Sequence, residues 1–173
     1  MYQQNSLLDV CYNPNLKIIV GDVRNKTLLK EQLKQHDIII PLAAIVGAPA
    51  CDKDLNLSEA INQQQMEDIA KWLNKDQFLL YPVTNSGYGI GEKDIYCTEE
   101  SELNPISHYG KTKVEGEKVL LEMGNAITFR LATVFGTAPR MRMDLLVNDF
   151  VYRAFSHRFI VLFESHFKRN YIH

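Results

Sequence analysis

The sequence lacks most of the features that would place it quickly. It has only three cysteines, Cys11, Cys51 and Cys97, and no C-x-x-C pair. That odd, scattered set excludes a disulfide framework and suits a reducing compartment. Five histidines, at 36, 108, 157, 166 and 173, show no metal-ligand spacing with cysteines or carboxylates, so no metal site is expected. A formal net charge of −2 leaves no excess of either sign for holding nucleic acid or a membrane surface. The most apolar stretch, IIIPLAAIVGAPA at 38–50, carries two prolines and is too short to span a bilayer. Residues 1–10 are polar and do not read as a secretory leader. The expected location is therefore cytoplasmic. No internal repeat and no low-complexity segment is visible.

Phosphate loops are missing too. GYGIG at 87–91 follows a strand-like run, but its glycines lack GxGxxG spacing and the next residues, EKDIYCTEE, are polar. Cradling a phosphate requires glycines that open a helix with its N-terminus toward the ligand, so this segment reads as a turn. A Walker-type loop and a G-x-S-x-G elbow are also absent.

What remains is an ordinary core-forming chain of 173 residues, 46% hydrophobic and 23% charged. Apolar, β-branched runs lie at 15–22, 37–43, 77–84 and 125–136. They are continuous rather than alternating, as in strands buried on both faces of a parallel sheet. Helical patterns lie between them at 25–35, 56–73 and 107–123. That succession predicts a doubly wound α/β sheet. After Pro139 the texture changes to a helical stretch at 143–155, a strand-like run at 159–164 and a basic tail.

Two segments carry chemistry. VTNSGYG at 83–89 puts Thr84, Asn85 and Ser86 at the end of a strand, where open α/β sheets bind ligands. The same residue types also favour plain turns. SHYGKTKVEGEKVLLEMGN at 107–125 is an amphipathic helix: Lys111, Glu115, Lys118 and Glu122 gather on one side, and Tyr109, Lys113, Gly116 and Leu120 on the other. A lysine on an apolar stripe either reaches water from its edge or is buried with a partner. Spacing alone leaves both open.

Taken together, the motifs resemble the extended short-chain dehydrogenase/reductases, the NAD-dependent epimerase/dehydratase family acting on nucleotide sugars. The resemblance is carried by GDVR (21–24), PLAAIVG (41–47), Asn62, VTNSGYG (83–89), TEESELNPISHYGKTKVEGEK (98–118), RLATVFG (130–136) and RNYIH (169–173). It implies a Rossmann-like doubly wound parallel sheet and a catalytic set of Thr84, Tyr109 and Lys113. A tyrosine with its usual pKa near 10 needs that value lowered to act as a base, and a nearby ammonium does so. The i, i+4 spacing puts the pair on one helical face. The resemblance also implies NAD, with NADP not excluded, held by Asp22, Val23, Leu42, Ala43, Ala44 and Asn62 together with Tyr109 and Lys113. Ala43 and Ala44 read equally as sheet–helix packing. Asn85, Ser86 and Thr133 would face a nucleotide sugar, and helices near 56–73 and 107–123 would pair two copies into a homodimer.

Departures from the family pattern narrow this. The chain lacks the family's first strand and Gly-rich loop, which implies an internal fragment, with a partial dinucleotide-binding domain at 1–138 and the beginning of a substrate-binding region at 139–173. An isolated chain of this kind is expected to be poorly stable and to bind dinucleotide weakly. Asn85 and Ser86 stand where dehydratases of the family carry an Asp-Glu pair, which favours epimerase or reductase chemistry over dehydration. Thr133 and Pro41 replace a frequent Asn and His. The alternatives are a truncated, non-catalytic dimerisation module and an NAD-sensing regulator on the same fold.

Overall fold

The computed structural model describes residues 4–91 and 96–173. The chain forms two compact units, Gly21–Leu131 and a second made of Met1–Val20 with Ala132–His173.

The first unit is built on a parallel sheet. Strands β1 (Ile38–Ile39), β2 (Phe78–Pro82) and β3 (Ala126–Phe129) lie in the order β1-β2-β3. Ile38 pairs with Phe78, and Leu79 with Ala126. Parallel neighbours need long crossovers, and helices supply them: α2 (Ala48–Cys51), α3 (Leu55–Glu59) and α4 (Gln65–Trp72) before β2, then α5 (His108–Leu121) before β3. A further helix, α1 (Lys26–Leu33), leads into β1. Local chemistry sets the helix starts. The side chains of Asn25, Asp54 and Ser107 accept hydrogen bonds from the N–H groups of Leu28, Leu57 and Gly110 at 3.1, 2.9 and 3.1 Å, N-caps worth about 1 kcal/mol each.

Along β2 and the residue after it, Leu79, Tyr81 and Val83 alternate onto one buried face and meet Met66, Ile69 and Leu120 in the core. Burying each of the larger side chains contributes about 1.5–3 kcal/mol. Gly116 lets α5 come close to its neighbour. A Cβ there would lie 2.9 Å from the Asn62 carbonyl oxygen and 3.0 Å from Met66 Cγ.

The second unit contains β4 (Thr133–Val134), β5 (Tyr171–Ile172) and α6 (Leu146–His157), with β4 and β5 parallel. Buried Asn148 accepts from the Gly136 N–H at 3.1 Å and donates to the Arg142 carbonyl at 2.9 Å, which holds the loop before α6.

Several expected elements differ, each for a physical reason. Residues 15–22 form no strand: Ile18 is 55% and Val20 87% exposed, and a ladder needs a partner whatever the residue preference. The run at 125–136 splits into β3 and β4, because the Leu131 N–H turns back onto the Phe129 carbonyl at 2.9 Å. Residues 159–164 are not a strand; Arg158, at φ 65°, ends α6, and Glu164, at φ 52°, breaks the extended path. The helix expected at 56–73 is interrupted by a π-helical turn, Ala60–Gln64, in which the Gln65 N–H reaches the Ala60 carbonyl. The short helix α2 and strand β5 were not anticipated.

Gly116→Val should lower stability by about 1–3 kcal/mol through overpacking. Glu115→Ala, on the exposed side of α5, should change it by no more than about 0.5 kcal/mol. Urea unfolding of the two variants compares the faces directly.

Candidate active site

The carboxyl end of β2 runs straight into a tight turn. The Val83 and Asn85 N–H groups continue the ladder to the Phe129 and Leu131 carbonyls at 2.7 and 3.0 Å. The chain then closes into a 3-10 turn, Asn85–Tyr88. Thr84 caps that turn: its hydroxyl oxygen accepts from the Ser86 N–H at 3.2 Å, a bond that uses a lone pair rather than the hydroxyl hydrogen. Thr84 is buried, while Asn85 and Ser86 are half-buried on the turn. Gly89 sits at φ 74°, and a Cβ there would collide with the Asn104 carbonyl. Gly87 packs likewise on Val114 and Leu103. Gly87 and Gly89 thus seat the 103–104 segment against the turn.

Helix α5 sorts its residues as the wheel predicts. Lys111, Glu115, Lys118 and Glu122 are exposed, and Lys113, Gly116 and Leu120 are buried, with Tyr109 half-buried one turn before Lys113. The lysine is 4% exposed. Its Nζ lies 3.8 Å from the centroid of the Tyr81 ring, a cation–π seat. Burial pulls the Lys113 pKa down from 10.5 to about 8, and Glu117, one turn on, opposes this.

Two residues that the sequence reading did not single out hold this helix face. Glu117 is 1% exposed. It accepts from the Thr128 hydroxyl at 2.6 Å and from Arg130 Nε at 3.0 and 3.1 Å. Arg130 Nη1 also donates to the Tyr88 hydroxyl at 3.3 Å and to the Glu99 carbonyl at 2.9 Å. One guanidinium therefore ties α5, the turn after β2 and the loop beyond it. The position of Glu117, four places past Lys113 on the same stripe, was the available sign.

The π-helical turn contributes Asn62, which is 1% exposed. Its amide accepts from the Ile45 N–H at 2.9 Å and donates to the Ile45 carbonyl at 3.0 Å. It thereby pins the segment after β1 that holds half-buried Ala43 and Ala44 and exposed Leu42. The Tyr81 hydroxyl donates to the Asn62 carbonyl at 3.3 Å. The structure therefore connects Lys113, Tyr81, Asn62 and the 43–46 segment. Asp22 and Val23 stand in the turn before α1. The Arg24 guanidinium and N–H beside Asp22 hold its carboxyl down at about 2. Thr133 lies on β4 of the second unit, where its N–H donates to the Asn170 carbonyl at 3.3 Å. Among the described residues no three His, Cys, Asp or Glu side chains are grouped to hold a metal. No helix of the described residues is long and apolar enough to cross a membrane.

A family model described as the RmlD substrate binding domain matches residues 15–159. The chain belongs to that family. Among curated relatives of this RmlD-family chain, dTDP-4-dehydrorhamnose reductase of Salmonella typhimurium is 28% identical over 106 residues, covering 60% of this chain and 36% of the relative. The uncharacterized UDP-glucose epimerase YtcB of Bacillus subtilis is 27% identical over 146 residues, covering 76% of this chain and 45% of the relative. The chain thus spans less than half the length of these relatives. A solved dTDP-glucose 4,6-dehydratase from Bacillus anthracis in complex with NAD superposes with a TM-score of 0.75 at 21% identity, over 90% of this chain and 49% of that one. The UDP-glucuronic acid 4-epimerase of Bacillus cereus, in complex with UDP-glucuronic acid and NAD, gives 0.73 at 25% identity, over 86% and 48%. The fold is the Rossmann-like α/β fold of these enzymes, and the resemblance to extended short-chain dehydrogenase/reductases holds.

Lys113 is buried as an ammonium at a cost, and the sign of that cost is testable. Its folded pKa of about 8 lies below the ordinary 10.5, so the unfolded chain binds more protons between those values and stability rises with pH there. Below about pH 8 the full penalty is present. Lys113→Met should therefore raise stability at pH 7 by on the order of 2–3 kcal/mol, and the gain should fade as pH climbs from 8 toward 10.5. Urea midpoints across that range measure it.

Proposed function

We propose that this chain carries the proton-handling part of an NAD(P)-dependent epimerase or reductase acting on a nucleotide sugar, with Tyr109 as general base and Thr84 and Lys113 as its partners. The observation that carries this reading is the buried Lys113, one helical turn after Tyr109 on the same face of α5. A helix keeps an ammonium out of water at a penalty when the charge is used, here to stabilise the Tyr109 phenolate. The base would accept the proton of a sugar hydroxyl, and Thr84 would hydrogen-bond the same oxygen as its charge develops. NAD(P), when bound, would supply hydride-acceptor chemistry in its oxidised form and hydride-donor chemistry in its reduced form.

The residues present fit such a dinucleotide at its nicotinamide end. An ammonium resting on a ring face spends no N–H on an acceptor there, so its donors suit ribose hydroxyls. Ala43 and Ala44 offer only methyl groups along the segment that Asn62 holds, which permits close approach of a cofactor. Asp22, Val23, Leu42 and Asn62 complete the proposed contacts. Asn85, Ser86 and Thr133 are assigned to the sugar nucleotide. Neither Asn85 nor Ser86 can act as the acid or base of a dehydration, which favours epimerisation or reduction. The proposed division keeps 1–138 with the cofactor and 139–173 with the substrate.

Tyr109→Phe in the intact protein should abolish turnover of the nucleotide sugar, with NAD affinity changed less than about threefold in a calorimetric titration. Retained turnover would remove Tyr109 from the role of base.

Homodimerisation is proposed through α4 and α5. A shallow groove between them is floored by Ala70, Val119 and Met123 and edged by Glu67, Lys71 and Glu122, an apolar strip with charges of both signs at its rim. Val119→Glu should convert a dimer to a monomer in analytical ultracentrifugation. The non-catalytic module and the NAD sensor give no reason for a buried Lys113.

A further inference from the structure

We infer that Tyr81 is a positioning residue for Lys113, its ring face being the seat on which the ammonium rests. This rests on the reading of Lys113 as part of the catalytic set and goes beyond it, since no motif includes position 81. The geometry is specific. Nζ stands 3.8 Å from the ring centroid, well inside the reach of a cation–π contact. The ring cannot swing away: Tyr81 is 1% exposed, packed in the core with Leu79 and Met66, and its hydroxyl donates to the Asn62 carbonyl at 3.3 Å. Burial holds the Tyr81 phenol well above its ordinary range, with Tyr109 and Glu117 pushing the same way, so the seat stays neutral while the base beside it changes charge.

Of the other groups near the ammonium, Glu117 supplies part of its support, but that carboxylate is shared with Arg130. Tyr109 and Glu117 lie on α5 itself, and Arg130, following β3, occupies both oxygens of Glu117. From the 55–72 helices, Asn62 and Met66 face α5 at Gly116, and α2 contributes Cys51, whose thiol lies 3.7 Å from the Asn62 amide nitrogen and is pushed up by burial. A second carboxylate in this position would neutralise Lys113 and cancel its pull on Tyr109. A quadrupole attracts the cation without cancelling its charge, which is what the proposed role requires.

The test uses near-isosteric replacements in the intact protein, so that folding is preserved: Tyr81→Phe, and Tyr81→3,4,5-trifluorophenylalanine, which withdraws electron density from the ring face. The Lys113 titration is read by NMR of 13Cε-labelled lysine, assigned with Lys113→Arg, beside the pH profile of kcat/KM. Tyr81→Phe should leave the lysine midpoint within about 0.3 pH unit. The fluorinated ring should lower it by about one unit or more, the size expected of a desolvated cation–π contact, and the alkaline limb of kcat/KM should move down with it. Equal midpoints in the two variants would overturn the seat. A shifted midpoint with an unmoved rate profile would uphold the seat and overturn the catalytic reading of Lys113, as turnover by Tyr109→Phe also would.

Discussion

Two opposite charges buried one turn apart on the inner face of α5 organise this unit. Lys113 and Glu117 are both nearly sealed from water, and charges so placed must be compensated locally. Each neighbouring element shows the adjustment. β2 presents the Tyr81 ring to one charge. β3 and the residue following it present the Thr128 hydroxyl and the Arg130 Nε–H to the other. Between the two, Gly116 removes the side chain that would push the helix off. The strand ends, the turn at Asn85–Tyr88 and the helix face converge here because they share the work of enclosing this pair.

Electrostatics and packing act at the same atoms. Arg130 neutralises Glu117, and its remaining donors hold Tyr88 and the Glu99 carbonyl. A buried carboxylate thereby also fixes the loop that closes over the β2 turn. Such networks are stable only when every member is satisfied, so this corner is rigid through its polar contacts as much as its apolar ones. The general base proposed at Tyr109 would benefit from that stiffness in holding its place against a reacting hydroxyl.

The sequence showed part of this. The two faces of α5 were legible because its exposed charges at 111, 115, 118 and 122 recur with a helical period. The strand-end position of Thr84 was legible because an apolar run stops there in small polar residues. The place of Glu117 on the stripe was legible from its spacing to Lys113, but its partners Thr128 and Arg130 come from a distant strand and the residue after it, so no local pattern could reveal them. Tyr81 read as one more member of an apolar run; only the strand's alternation, with 79, 81 and 83 on one side, hints at where its ring points. The run at 15–22 has strand-like composition, yet composition says nothing of whether a neighbour stands beside it. The broken helix at 56–73 escaped because a period of 3.6 residues cannot register a single turn that contains more.

That wide turn, Ala60–Gln64, works as a phase shifter. Asn62, inside it, is aimed at the segment after β1; residues after it, Met66 and Ile69, are aimed at the core. Removing one residue there would restore a regular helix but rotate everything downstream by about 100°. Either the amide would leave Ile45 or the apolar stripe would leave the sheet. The length of this one turn thus sets two alignments at once, and a helix of ordinary pitch through the same sequence could satisfy only one of them.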